Sequence, residues 1–423
     1  MSHSAKLHPQ KARQFAKHVI LRLRKAGYLA YWAGGCVRDQ LLGREPKDYD
    51  VATDAQPDQI RTLFGRRRTL ALGASFGVIT LIGPPGAGQI EIATFRDDVG
   101  YSDGRHPDRV HFSTAEADAS RRDFTINGLF FDPIGREVID YVGGREDIQR
   151  RRIRAIGDPV KRFTEDKLRM LRAVRFSAGF DFQLDPETRE AVCRMADQIT
   201  VVSWERIAAE IRQILTAARR AAGVRLLVDT GLGAAILPEL FADERRGAAA
   251  GDFEAMLEVL VRLDSPEFPL SLAVLLSLAA TPQTARAIGR RWRLANHEIN
   301  RAAWLLEHRR SLDGADRRRW SSVQPVLVAK AAPDLLKWMQ AQREAEGADD
   351  ADVRWCRDQL SRDRAEIDPA PLLTGDDLIG HGVPKGPIFR EILQGVREAQ
   401  LDGEVHSRRE ALAMVDRLIA RPR

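Results

Sequence analysis

The 423-residue sequence predicts an α+β protein, in which a head of mixed strands and helices precedes a helical body. The first third alternates short apolar runs with glycine turns, the mark of strands joined by tight connections. From about Thr164 apolar residues recur at helical spacing and β-branched runs become scarce. The length exceeds what one hydrophobic core organises, so two or more domains are expected.

The elements follow in order. YLAYWAGG (28–35) reads as a strand ending in Gly34-Gly35, and CVRDQLLG (36–43) as a short helix. GREPKDYDVATD (43–54) leads into a second strand, and DAQPDQIRTLF (54–64) into a helix with Asp54 as N-cap. Strands are expected at FGVITLIG (76–83) and QIEIATFR (89–96), then a polar loop at DDVGYSDGRHPDRVHF (97–112). EDKLRMLRAVRFSAGF (165–180), RIAAEIRQILTAARR (206–220) and DFEAMLEVLVRLD (252–264) read as helices. FPLSLAVLLSLAA (268–280) reads as a buried helix, too short to span a bilayer. RRGAAAGD (245–252) and AEGADDADV (345–353) read as loops, and GVPKGP (382–387) as a turn before the amphipathic helix REILQGVREAQ (390–400).

Composition narrows the function. With 44% hydrophobic and 30% charged residues and no apolar h-region near its start, the chain is expected to be soluble and cytoplasmic, without a membrane partner. Cys36, Cys193 and Cys356 lie far apart, which argues against a disulfide framework or a zinc site. Sixty-six basic against 60 acidic residues, with arginines clustered in GRRRT, DIQRRRIR and DRRRW, suit an anionic partner such as nucleic acid.

Asp48 and Asp50 carry the sharpest chemistry. In an extended segment they point to one face and Tyr49 to the other, so two like charges lie side by side. A divalent ion between them would resolve the repulsion, as in phosphoryl-transfer sites; a solvated turn leading into an edge strand is the simpler alternative. Gly34-Gly35 allows close backbone approach to a ligand at a helix start, with Arg38 one turn in. Glu91, acidic in an otherwise apolar strand, needs either a shared metal or a salt bridge to Arg96. In RRDFTINGLFFDP (121–133), Arg122 could bind a triphosphate and Asp123 a ribose hydroxyl. Asp166, Arg169, Arg172 and Arg175 recur every three residues on one helical ridge, an arrangement that a solvated Asp-Arg helix also shows.

Taken in order, GGCVRDQLLGREPKDYDVAT, IEIATFR, YSDGRHPDRVHF, RRDFTINGLFFDP, GDPVKRFTEDKLRMLRAVRFSAGF and SWERIAAEIRQIL, spanning about 28–216, resemble the bacterial and eukaryotic class of tRNA nucleotidyltransferases (CCA-adding enzymes) and their relatives the bacterial poly(A) polymerases. The resemblance implies a DNA polymerase beta-like head at 1–148, a helical neck with the base-selecting helix at 149–222, a helical body at 223–365 and a tRNA-gripping helical tail at 366–423. It implies Mg²⁺ held by Asp48 and Asp50, with Glu91 as a third catalytic carboxylate. Gly34, Gly35, Arg38, Arg122, Asp123, Asn127, Glu165, Asp166, Arg169, Arg172 and Arg175 are the implied nucleotide-binding residues. By the same resemblance Asp166 and Arg169 of EDKLR select the base: the carboxylate accepts from the amino group shared by C and A, and the guanidinium donates to the ring nitrogen. Uracil and guanine would leave groups unpaired, at roughly 1–3 kcal/mol each.

The implied partners are CTP, ATP and the tRNA 3′ end, with no obligate protein partner. A poly(A) polymerase or an A-adding tRNA enzyme shares these residues, and a non-catalytic RNA-binding relative is the reading from another class. The full-length loop with DGRHP disfavours an enzyme adding only CC, which in this family lacks most of it. The sequence departs from the family at Gly128, commonly Ala, and carries no His-Asp phosphohydrolase signature.

Overall fold

The computed structural model describes residues 8–100, 109–241, 250–278, 281–384, 386 and 388–419. The chain divides into two compact units, Met1–Ala242 and Asp243–Arg423. In the first, α1 (Pro9–Lys25) precedes β1 (Ala30–Ala33), α2 (Gly35–Leu41), β2 (Asp50–Thr53), α3 (Pro57–Phe64), β3 (Thr69–Gly73), β4 (Val78–Ile82) and β5 (Gln89–Thr94). Then come β6 (Arg96–Val99), β7 (Arg109–Phe112), α4 (Ala115–Ser120), β8 (Leu129–Asp132), β9 (Glu137–Asp140) and α5 (Gly144–Gln149).

Seven of these strands form one sheet in the order β3-β4-β5-β2-β1-β8-β9. All neighbours are antiparallel except β2 and β5. One face is packed because α1 buries Ala12, Phe15, Ala16, Val19, Ile20 and Leu23 at helical spacing against Trp32, Val51, Ile79, Leu81 and Ile92. Each fully buried aliphatic side chain there contributes about 1.5–3 kcal/mol. On the other face Ala33 and Ala52 meet Phe95, Ala115, Ala119 and Phe130, which seats α4 over part of the sheet and leaves the β5, β4 and β3 side open.

Several expectations change. Asp54 does not cap α3: its Oδ1 accepts from the Leu29 backbone at 2.8 Å, and Gln56 with Gln59 forms the capping box instead. Both described ends of the polar loop expected at 97–112 are strand, β6 pairing with β7 from Arg96↔Phe112 to Val99↔Arg109, while DGRHP lies outside the described residues. The helix expected over 165–180 is α7 (Leu168–Phe180), which starts three residues later because Glu165 ends a preceding helix, α6 (Pro159–Glu165). Asp166 between them is extended, φ −149° and ψ 106°, and its Oδ1 accepts from the Leu168 amide at 3.1 Å, so the side chain that would continue one helix starts the next.

Helices α8 (Pro186–Met195), α9 (Trp204–Leu215) and α10 (Arg220–Asp229) follow; the helix expected over 206–220 is α9, which ends five residues early at Leu215.

Every regular element among the described residues of the second unit is a helix. Phe268–Leu276 is buried at all nine positions, as the apolar run predicts. Ala250–Arg262 takes in the last three residues of RRGAAAGD, most of which lies outside the described residues. Of AEGADDADV only 347–350 lie between helices, Ala332–Glu346 and Ala351–Ser361. Near the C-terminus Gly375–Gly380, Ile388–Leu401 and Arg408–Ile419 enclose a small core of their own, including Leu378, Ile392, Val396, Ala411 and Val415. Cys36, Cys193 and Cys356 are free thiols. No helix among the described residues is long and apolar enough to cross a membrane.

Candidate active site

β1 delivers the chain to Gly34, whose φ of 69° and ψ of −124° suit glycine alone. A Cβ there would lie 2.8 Å from Arg122 Nη1, so the glycine lets the arginine lie against the backbone. The Gly34 carbonyl accepts from the Val37 and Arg38 amides, both at 3.1 Å, which starts α2 and aims Arg38 back over the turn. Arg38 Nη1 donates to Asn127 Oδ1 at 2.6 Å, and its guanidinium sits over the Phe176 and Phe180 rings at 5.4 and 4.5 Å.

α4 and the turn after it supply the next layer. Asp118, its side chain 1% exposed, holds both Arg121 and Arg122 by ion pairs of 2.7 and 3.0 Å. Arg122 Nη1 also donates to the Asn127 carbonyl at 3.2 Å. Buried Asp123 accepts from Asn127 Nδ2 at 3.0 Å and from Arg172 Nε and Nη2 at 2.8 and 2.5 Å. Burial pushes the Asp123 carboxyl up, but the Arg172 charge and the hydrogen bonds from Asn127 and Arg172 outweigh it and hold it well below the usual carboxylate range.

β2 supplies the acidic edge. Tyr49 is buried 4.8 Å from the Trp32 ring, so Asp48 and Asp50 on either side of it point outward, as strand alternation predicts. Asp50 is solvent-accessible yet set into the wall of the site. The surrounding protein raises its carboxyl, Asp48 and Glu91 raise it further, Arg122 pulls back, and the group is pushed up to about 6. Glu91 does not bridge to Arg96, which pairs with Asp98 at 2.9 Å. Among the described residues no three acidic, His or Cys side chains converge tightly enough to cage an ion. Asp48 and Glu91 stand close enough to Asp50 to raise its carboxyl, and such neighbouring carboxylates are the oxygen donors a divalent cation takes, with water and phosphate completing its shell.

α6 and α7 form the opposite wall. Asp166 Oδ2 meets Arg206 Nη2 of α9 at 2.7 Å, while Arg169 Nη1 meets Glu165 Oε2 at 2.5 Å. Arg175 pairs with Glu210 at 2.6 Å and lies 4.2 Å over Phe176. The Asp166–Arg175 ridge is thus confined to its arginines, Asp166 belonging to the break before the helix.

A cleft of about 460 Å³ gathers Gly34, Gly35, Arg38, Asp50, Arg122, Asp123, Asn127, Asp166, Arg169 and Arg172. Asp48, Glu91, Glu165 and Arg175 do not line it. Arg121, Leu168, Phe176 and Arg206 do, and sequence reasoning missed them. Phe176 carried a usable signal, four residues beyond Arg172 and four before Phe180. Arg206 carried none, since its partner lies 40 residues away.

Family profiles match the poly A polymerase head domain over residues 30–154, a "Probable RNA and SrmB- binding site of polymerase A" over 181–244, and tRNA nucleotidyltransferase domain 2 over 270–415. A CCA-adding enzyme of Geobacillus stearothermophilus is 33% identical over 420 residues, covering 94% of this chain and 95% of the relative. One from Levilactobacillus brevis is 32% identical over 405 residues, covering 94% and 96%. The crystal structure of the Bacillus stearothermophilus CCA-adding enzyme in complex with CTP superimposes with a TM-score of 0.73 at 28% identity, covering 96% of this chain and 98% of that one. Matched over 94% of its length by relatives 32–33% identical, the chain belongs to the family of CCA-adding enzymes.

Proposed function

We propose that the chain adds C, C and A to the 3′ end of tRNA, using CTP and ATP and no nucleic-acid template. One observation supports this above all: a single cleft faces Asp50 on one wall, arginines on another and the Asp166 and Arg169 pair on a third. In this reading Asp48 and Asp50 would hold Mg²⁺, with Glu91 beside them. When bound, the metal supplies Lewis-acid stabilisation of charge on the reacting phosphate oxygens.

The protein's own groups do the rest. Gly34 and Gly35 admit the triphosphate close to the backbone, and Arg38 and Arg122 neutralise it. The RNA 3′-hydroxyl gives up its proton to water as its oxygen bonds to the α-phosphorus, the bond from that phosphorus to the bridging oxygen breaks, and pyrophosphate carries the electron pair away. Asp123 and Asn127 fix the wall beneath the sugar, and Arg172 and Arg175 hold the helix that carries Arg169.

Base choice falls to Asp166 and Arg169. Arg206 holds Asp166 and Glu165 holds Arg169 by ion pairs of 2.7 and 2.5 Å, which fix the orientation of both side chains. Residues 1–148 would act as catalytic head, 149–222 as neck, 223–365 as body and 366–423 as the tail that grips tRNA, in the cytoplasm.

The test uses tRNA transcripts ending before CCA, after C and after CC, with CTP and ATP supplied singly and together. Growth by three nucleotides only with both triphosphates is expected, lost with EDTA and in Asp48→Ala while tRNA binding persists. Growth only on the CC-ended transcript, or a long ladder with ATP alone, would replace this reading with A-addition or poly(A) synthesis.

A further inference from the structure

We infer that Phe180, the last residue of α7, is a positioning residue for the transfer reaction: its ring holds both Arg38 of the triphosphate wall and Arg44 of the segment that leads into Asp48 and Asp50. This deepens the function proposed above and rests on it.

The mount for the ring is firmly fixed. Asp181 closes α7 in the left-handed region, φ 58°, and donates its amide to the Ser177 carbonyl. Its carboxylate meets Arg151 at 2.8 Å and also pairs with Arg219. The Ser177 hydroxyl donates to the Phe182 carbonyl, and the buried Phe182 ring lies 6.0 Å from that of Phe180. Phe176, one turn earlier, stacks on Phe180 at 5.8 Å with 12° between the planes. Phe180 itself is half-buried.

Two arginines use that ring. The guanidinium carbons of Arg38 and Arg44 lie 4.5 and 4.9 Å from its centroid, within reach of the attraction between a cation and an aromatic face. Arg38 has further holds, on Asn127 Oδ1 and on Asp39 Oδ1, which accepts from its Nε and Nη2 at 2.9 and 2.7 Å. The Arg44 side chain has, among the described residues, only Phe180 and the Gly179 carbonyl, which Nη1 reaches at 3.5 Å. Its amide donates to the Asp39 carbonyl at 2.8 Å and so closes the turn after α2.

Arg44 anchors the approach to the carboxylates. Across 45–48 no backbone-to-backbone hydrogen bond forms among the described residues, and the next fixed point is Tyr49, buried 4.8 Å from the Trp32 ring. Asp48 therefore lies in a short span tied by Tyr49 at one end and by Arg44 on Phe180 at the other. Because α7 also carries Arg169 and Arg172, the helix that faces the base steadies the triphosphate arginine and the carboxylate segment through one ring.

The test takes the full-length protein with Phe180→Leu, which keeps apolar bulk and removes the ring, Phe180→Tyr, which keeps the ring, and Arg44→Gln. By hydrogen exchange, amides in 42–49 should exchange about four-fold faster in Phe180→Leu and Arg44→Gln and as wild type in Phe180→Tyr. Calorimetric titration of CTP in EDTA should show binding about five-fold weaker in Phe180→Leu, through Arg38, and within about two-fold of wild type in the other two. On a tRNA lacking CCA, Arg44→Gln should lower kcat about four-fold with KM for CTP within about two-fold. Wild-type exchange and CTP affinity in Phe180→Leu, or Phe180→Tyr as impaired as Phe180→Leu, overturns the inference. Should Phe180→Leu fail to fold, Arg44→Gln at its exposed position decides alone, and unchanged exchange across 42–49 overturns the inference. Faster exchange in these variants of a protein that adds no nucleotide leaves the hold on the segment standing and removes the proposed function instead.

Discussion

Substituting Gly34 by alanine tests the architecture of the cleft at its tightest point. The backbone there, φ 69° and ψ −124°, is strained for any residue with a Cβ, a cost of about 1–3 kcal/mol. The new methyl would also lie 2.8 Å from Arg122 Nη1. Arg122 keeps its two bonds to Asp118 but must release the Asn127 carbonyl at 3.2 Å, adding about 0.5–1.5 kcal/mol. The sum is roughly 2–4 kcal/mol, which for a unit of this size lowers Tm by about 5–15 °C. Calorimetry reads the stability change, and a CTP titration reads the displaced arginine as weaker binding. Gly35→Ala is the internal control: Gly35 is helical, a Cβ would meet Arg38 Nη2 at an ordinary 3.5 Å, and stability should hold or rise by up to about 1 kcal/mol. Gly34→Ala melting within about 1 °C of wild type with unchanged CTP affinity would refute both the strain and the crowding arguments.

Three further outcomes are expected. Asp123→Asn removes the charge from the carboxylate whose Oδ2 accepts from both Nε and Nη2 of Arg172 and should cost about 2 kcal/mol at pH 7, discounted because Arg172 is a third exposed. Because the folded Asp123 carboxyl is depressed, its contribution is complete above the ordinary carboxylate range and fades as pH falls through the folded value, so denaturant midpoints of variant and wild type should converge below about pH 4. Arg206→Ala frees the Asp166 carboxylate held at 2.7 Å, and misincorporation of UTP relative to CTP should rise about ten-fold in single-turnover assays. Gly128→Ala, which restores the residue common in the family, should destabilise this chain by about 1–3 kcal/mol in urea melts, because the methyl would lie 2.6 Å from Val142 Cγ2.

The head's strands and the glycine turn were legible because their signals are local: alternation, Gly-Gly and an apolar run each act within a few residues. The break at Asp166 was not, since the apolar periodicity runs on through it and only the side-chain bond to the Leu168 amide marks the new start. The β6–β7 ribbon hid behind a polar sequence. What orders its base is a chain of ion pairs, Arg96 to Asp98 to Arg121 to Asp118, whose widest link, Asp98 to Arg121, joins residues 23 apart. Arg206 was silent for the same reason on a longer scale. Asp54 misled because an acidic residue just ahead of a helix resembles a cap, while a tertiary bond to Leu29 claimed it.

The strand order also sets a timetable for synthesis. β1, which leads into Gly34, has β2 on one side and β8 on the other, and Trp32 finds its partner Phe131 only when that residue has been made. Arg38 waits longer still for the rings of Phe176 and Phe180. A ribosome that has released the carboxylate segment has therefore not yet made the cleft, and a chain truncated ahead of α7 carries Asp48 and Asp50 without the wall that faces them.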